Sequence, residues 1–175
     1  APTTGLRPPV RKSFTRTAKS PREPPAPRGA FQVHTARLRV IFLIMIHYCN
    51  DRPITAEQLA GVFDRSGIRR PTHDLRRLQT MLDHADILWT AWEGEELVGV
   101  ARSITDFAYC CYLSDLAVDQ RCQKQGIGRA LIQRTKEQLG DEVSLILLSA
   151  PGAMAYYPKI GMAHADNAFI IKRKG

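Results

Sequence analysis

Between residues 109 and 148 the chain runs from a long apolar stretch through a short basic loop into a segment of helical period. It then enters a second apolar stretch. Residues 109–118 and 143–148 read as strands. Residues 127–139 read as a helix with Ile127, Leu131, Thr135 and Leu139 inward and Gly140 ending it. A strand–helix–strand unit of this length fits a parallel crossover, the kind of connection that parallel neighbours need in place of a tight turn. The almost wholly apolar run at 143–148 predicts a strand buried on both faces.

The segments around this unit are of both kinds. A first strand is expected at 45–48. Thr55-Ala56-Glu57-Gln58 is a capping-box signature opening a helix with Leu59 and Phe63 on one face, stopped by Ser66-Gly67. Residues 74–85 repeat the helical period, with Leu75, Leu78, Met81 and Leu82 on one face. Strands at 87–92 and 96–103 flank Glu93-Gly94-Glu95, a hairpin turn. Pro151 opens a short helix that Pro158 and Gly161 close, and 168–171 reads as a last strand. The class is α+β: a mixed α/β sheet covered by helices, with the crossover through 116–148.

The 175 residues carry a net charge of +8, but the excess is not spread evenly. Residues 1–44 hold nine Lys/Arg against the single acid Glu23, whereas residues 45–175 hold 16 of each sign. The basic character belongs to the tail, so the domain itself is not expected to bind nucleic acid. Residues 1–30 also contain seven of the eleven prolines, a composition that cannot supply a core. We therefore expect a disordered basic tail over 1–38 and one domain over 39–175. A targeting role for the tail stands beside that reading. The longest apolar run, 40–46, has seven residues, too few for a membrane span, and no membrane partner is expected. The four cysteines, Cys49, Cys110, Cys111 and Cys122, lack C-x-x-C spacing and read as free thiols in a reducing compartment, taken to be cytoplasmic. No metal site is expected.

The chemistry of the chain concentrates in Gln123-Lys124-Gln125-Gly126-Ile127-Gly128. Gly126 and Gly128 remove side chains so that a ligand can approach the backbone at a helix start, and Arg121, Lys124 and Arg129 add positive charge. Taken alone, two glycines one residue apart fit a helix-capping turn equally well. The spacing is neither that of a dinucleotide fingerprint nor that of a P-loop.

Three features in order carry a resemblance. Leu116-Ala117-Val118-Asp119 ends a strand, the glycine loop follows as Q-x-x-G-x-G, and Ala153-Met154-Ala155-Tyr156-Tyr157-Pro158-Lys159-Ile160-Gly161-Met162 lies downstream. With these, the chain from about Met45 to its end resembles the GCN5-related N-acetyltransferase family. The resemblance implies an acyl-CoA N-acyltransferase fold. Its mostly antiparallel central sheet splays at two central parallel strands, here 109–118 and 143–148, and carries helices on both faces. Acetyl-CoA would lie in the splay. Its pantetheine arm would pair with the strand at Leu116, Ala117 and Val118, and its pyrophosphate would rest on Gln123, Lys124, Gln125, Gly126, Ile127, Gly128 and Arg129.

The implied reaction is acetyl transfer from acetyl-CoA to a primary amine, of a small molecule or a protein, by direct attack. Tyr157 matches the family's tyrosine and is the expected general acid for the departing thiolate. Asp115, next to Leu116, is the candidate base, against a structural hydrogen-bonding role. Tyr156 is expected in the core, and no Cys–His spacing supports a thiol nucleophile. The chain departs from the family at Ala150, where many members carry Asn, and at Met162, where the pattern ends in Phe. A non-catalytic acyl-CoA sensor or interaction domain is the alternative. The resemblance also implies homodimerisation and an acceptor entering over 55–86. The charges at Arg69-Arg70, Asp74, Arg76-Arg77 and 93–96 read as a solvated surface.

Overall fold

The computed structural model describes residues 45–174. The basic tail expected over 1–38 lies outside them. Five strands form one sheet in sequence order: β1 (Ile46–Cys49), β2 (Ile87–Glu93), β3 (Glu96–Thr105), β4 (Cys110–Val118) and β5 (Ser144–Ile146). Neighbours are antiparallel except β4 and β5, which are parallel. Helix α3 (Ile127–Leu139) makes the crossover between that pair. The expected α+β class and the parallel crossover are both present.

Helices α1 (Ala56–Ser66) and α2 (Leu75–Asp83) cover one face, and α3 covers the other. The Thr55 hydroxyl accepts from Gln58 N–H, and the Gln58 side chain accepts from Thr55 N–H, closing the capping box. Gly67, at φ 78°, ends α1 in the left-handed region. Leu59, Val62 and Phe63 are buried against Trp92, Leu97 and Val100 of the sheet. Across the sheet, Ile127, Leu131 and Ile132 of α3 pack on Ala91, Val98, Ala101 and Leu113. Gly99 leaves room for this, because a Cβ there would stand 3.2 Å from both Ala91 and Ile127.

Pairing between β3 and β4 skips one residue. Arg102 faces Asp115 and Ser103 faces Leu113, so Ser114 is an extra residue in β4. This bulge reverses the alternation of the strand. Asp115 and Ala117 lie on the α1–α2 face, while Cys111 and Leu113 lie on the α3 face.

Three expectations fail. Residues 143–148 are not buried on both faces: only Val143 is buried, β5 spans three residues, and Ile146 and Leu148 are exposed. Apolar composition there reflects a cavity and a sheet edge rather than a sandwiched strand. Residues 168–171 form no strand, and Phe169 and Ile171 are fully exposed. No sheet edge pairs with them among the described residues, so β propensity has nothing to act on. In α2, Leu78 alone is buried and Leu75 is exposed, because Asp74 caps the helix and the first turn lies clear of the sheet. No helix among the described residues is long and apolar enough to cross a membrane.

Candidate active site

Strands β4 and β5 pair only between Cys110–Tyr112 and Ser144–Ile146 and then part. The gap is a cavity of about 550 Å³. One wall is Leu113, Ser114, Leu116, Ala117 and Val118; the opposite wall is 147–150, with Tyr157 beyond it. The shortness of the pairing makes the site, since it leaves the backbone edge of β4 without a strand partner from Leu113 onwards. Two carbonyls near that edge are already taken by side chains. Arg70 Nη2 donates to Ser114 O at 2.9 Å, and Gln123 Nε2 donates to Val118 O at 2.9 Å. Leu116 lies between them.

After β4, Asp119 opens a short 3₁₀ turn, Gln120–Cys122, and the glycine loop follows. Lys124 (φ 63°) and Gly126 (φ 85°) take the left-handed region. The left-handed Gly126 meets the right-handed first turn of α3, a combination that turns successive N–H groups toward one point, a concavity suited to an anion. Gly126 caps α3 without a side chain, and the first helical bond runs from Ala130 N–H to Gly126 O at 2.9 Å. The N–H groups of Ile127, Gly128 and Arg129 therefore have no partner within the helix. The helix dipole adds partial positive charge at the same place.

The cations of the loop divide. Arg121 is held away from any ligand by Asp119 and Glu96, both at 3.0 Å, so it is not a free phosphate-facing charge. Its hydrogen bond and that of Arg65 keep the buried Asp119 carboxyl down at about 2. Lys124 and Arg129 are exposed and make no ion pair among the described residues.

Gly128 has a neighbour that the sequence did not reveal. A Cβ there would stand 3.0 Å from the Tyr156 hydroxyl. The Tyr156 ring reaches across from the downstream 3₁₀ segment onto the start of α3, half-buried rather than in the core. It meets Tyr157 edge-on, with ring centroids 5.3 Å apart. Burial pushes the Tyr157 phenol above its ordinary value, with Tyr156 adding to the effect. Tyr157 is therefore a protonated donor at neutral pH, lining the cavity.

Asp115 sits differently from the expectation of a base. Its side chain is fully buried on the α1–α2 face and does not line the cavity. Arg70 Nε donates to one carboxylate oxygen and Arg102 Nε to the other. Arg102 also bonds the Ser114 hydroxyl and the Met81 carbonyl. With both oxygens engaged, Asp115 joins the α1–α2 connection to the bulge instead of facing an acceptor. Arg70, read from the sequence as solvated surface, is half-buried and forms part of the cavity wall. No short motif marks it; its position follows from the Gly67 turn and the bulge together.

The four cysteines are free. Burial raises the Cys111 and Cys122 thiols, which leaves them poor nucleophiles.

Known proteins resemble the chain in sequence and in fold. The chain is 29% identical over 112 residues to GCN5-related N-acetyltransferase 1, chloroplastic, of Arabidopsis thaliana, covering 62% of this chain and 56% of that protein. It is 32% identical over 116 residues to serotonin N-acetyltransferase 2, chloroplastic, of Oryza sativa subsp. japonica, covering 63% and 57% respectively. It thus spans a little over half the length of these curated relatives. The solved structure of AAC(6')-Iy with the bisubstrate analogue CoA-S-monomethyl-acetylneamine superposes with a TM-score of 0.56 at 14% identity, covering 75% of this chain and 99% of that one. That likeness shows the same fold. The family model described as the acetyltransferase (GNAT) family matches residues 55–162, and the chain belongs to that family.

Proposed function

We propose that the protein transfers an acetyl group from acetyl-CoA to a primary amine by direct attack. The carrying observation is one cleft that holds an open β4 edge, a protonated phenol and, at Gln123, the start of the glycine loop. The pantetheine arm pairs with β4 at Leu116, beside Ala117 and Val118. The pyrophosphate rests on the N–H groups from Gln123 to Arg129, within reach of the Lys124 and Arg129 side chains. The amine nitrogen attacks the thioester carbonyl, the C–S bond breaks, and Tyr157 protonates the departing thiolate. The amine proton leaves to water in the open cleft, because both Asp115 oxygens are held by arginines. Tyr157 then regains its proton from solvent. Most of the acceleration comes from holding amine and thioester together.

Calorimetric titration of the full chain with acetyl-CoA, followed by assay of thiol release across an amine panel, tests this reading. We expect saturable one-site binding and amine-dependent release of coenzyme A thiol. Failure to bind overturns the donor site; binding without release for any amine overturns transfer. The free thiols support a reducing compartment, and fusion of residues 1–44 to a fluorescent reporter separates cytoplasm from plastid, the location named for both relatives. Pairing of two copies, as the resemblance implies, is checked by analytical ultracentrifugation.

A further inference from the structure

A second hollow, of about 400 Å³, is lined by Arg69, Arg70, Pro71, His73, Asp74, Arg77 and Arg173. Arg70 is in the wall of both spaces, so its side chain is common to the two.

The charge of this hollow is out of keeping with the rest of the domain. Four arginines line it, and the one acid, Asp74, has Oδ1 engaged in capping α2 through Arg77 N–H at 3.0 Å. Arg70 shares the Asp115 carboxylate with Arg102. Among the described residues, Arg69, Arg77 and Arg173 have no carboxylate within ion-pair distance. Three arginines without an ion pair, set against the single carboxylate of Asp74, leave the hollow net positive, and like charges so gathered repel one another. Nor does the tail hold an acidic run to fill the gap, since residues 1–44 contain only Glu23. The guanidinium fork matches the planar oxygens of a carboxylate or phosphate. The main cavity completes the pattern. None of its lining residues among those described is an Asp or Glu, so nothing in it attracts a polycation.

We infer that the acceptor is an amine carrying an anionic group, a carboxylate or a phosphate, which docks on Arg69, Arg77 and Arg173 while the amine passes Arg70 into the cleft. This rests on the acetyl-transfer reading and names its substrate class. The positive wall also favours the neutral form of the incoming amine, the form that attacks.

Three acceptors of one skeleton test it: tyramine, O-phosphotyramine and 4-(2-aminoethyl)benzoate. At low ionic strength we expect kcat/KM for at least one anionic acceptor to exceed that for tyramine by about tenfold, as charge-assisted bonds warrant. A rise for both means any anion serves; a rise for the phosphate alone narrows the class to phosphates. The advantage should fall toward unity in an Arg69→Ser, Arg77→Ser double variant, and in high salt. Both side chains are exposed, and a melting curve checks that the variant is folded. A ratio at or below one, or a ratio unchanged in the double variant, overturns the inference. Calorimetric binding of O-phosphotyramine against tyramine, in the presence of coenzyme A, needs no turnover. If no amine is acetylated, the transfer reading fails while this binding preference still decides the anion site.

Discussion

Tyr157 and Asp115 were both read from the sequence as catalytic, and their surroundings separate them. Tyr157 lines the cavity with its phenol raised by burial. Tyr157→Phe should lower kcat by about two orders of magnitude while leaving the affinity for acetyl-CoA unchanged. The alkaline limb of the wild-type rate should lie above the ordinary phenol value, because the acid is lost only as pH rises through the raised pKa. A steady-state pH profile of the two proteins checks both points. Asp115 is buried between two arginines, and Asp115→Asn should cost about 3 kcal/mol of stability in a urea titration, since it leaves two guanidiniums short of their counter-charge. Asp119 makes the corresponding case for acid. Its folded value near 2 lies below the ordinary 3.8, so its contribution is fully present above about pH 4 and is lost as pH falls toward 2. That contribution is about 2 kcal/mol, and it should be absent from the acid limb of Asp119→Asn.

At the scale of elements, the glycine loop and the downstream tyrosines act together. Gly128 was read as room for a ligand, yet its nearest outside atom is the Tyr156 hydroxyl. Gly128→Ala should destabilise the protein, and less so in a Tyr156→Phe background, with a coupling of about 1 kcal/mol in a double-mutant cycle. The sequence was informative where local rules act alone. The capping box at Thr55, the stop at Gly67, the hairpin at Gly94 and the inward face of α3 all follow from neighbours within one or two turns. It was silent where two distant segments decide. The Ser114 bulge, the Arg70–Asp115–Arg102 cluster and the capture of Arg121 by Glu96 depend on strands being brought side by side. The missing strand at 168–171 and the exposed flank of β5 are the same lesson in reverse, since apolar composition there found no partner.

For the molecule as a whole, the sheet separates two cores that share few side chains. One lies under α1 and α2 beside the proposed acceptor entrance, and the other under α3 behind the glycine loop. Acetyl-CoA would bridge the sheet edge and the α3 start, ordering both. At a hundredfold excess over its dissociation constant it should add about 2.7 kcal/mol. For a chain of this size that is a rise in melting temperature of roughly 5–10 °C, measurable by calorimetry.

The extra residue in β4 gives that strand a parity. Ser114 can be replaced by another side chain without altering which way its neighbours point. Removing it would turn the preceding half of the strand over. Leu113 and Cys111 would exchange the α3 face for the other, and the cleft wall would lose its matching edge. Length at this position is thus more tightly constrained than identity. A deletion of one residue here should do more harm than any single substitution along the same strand.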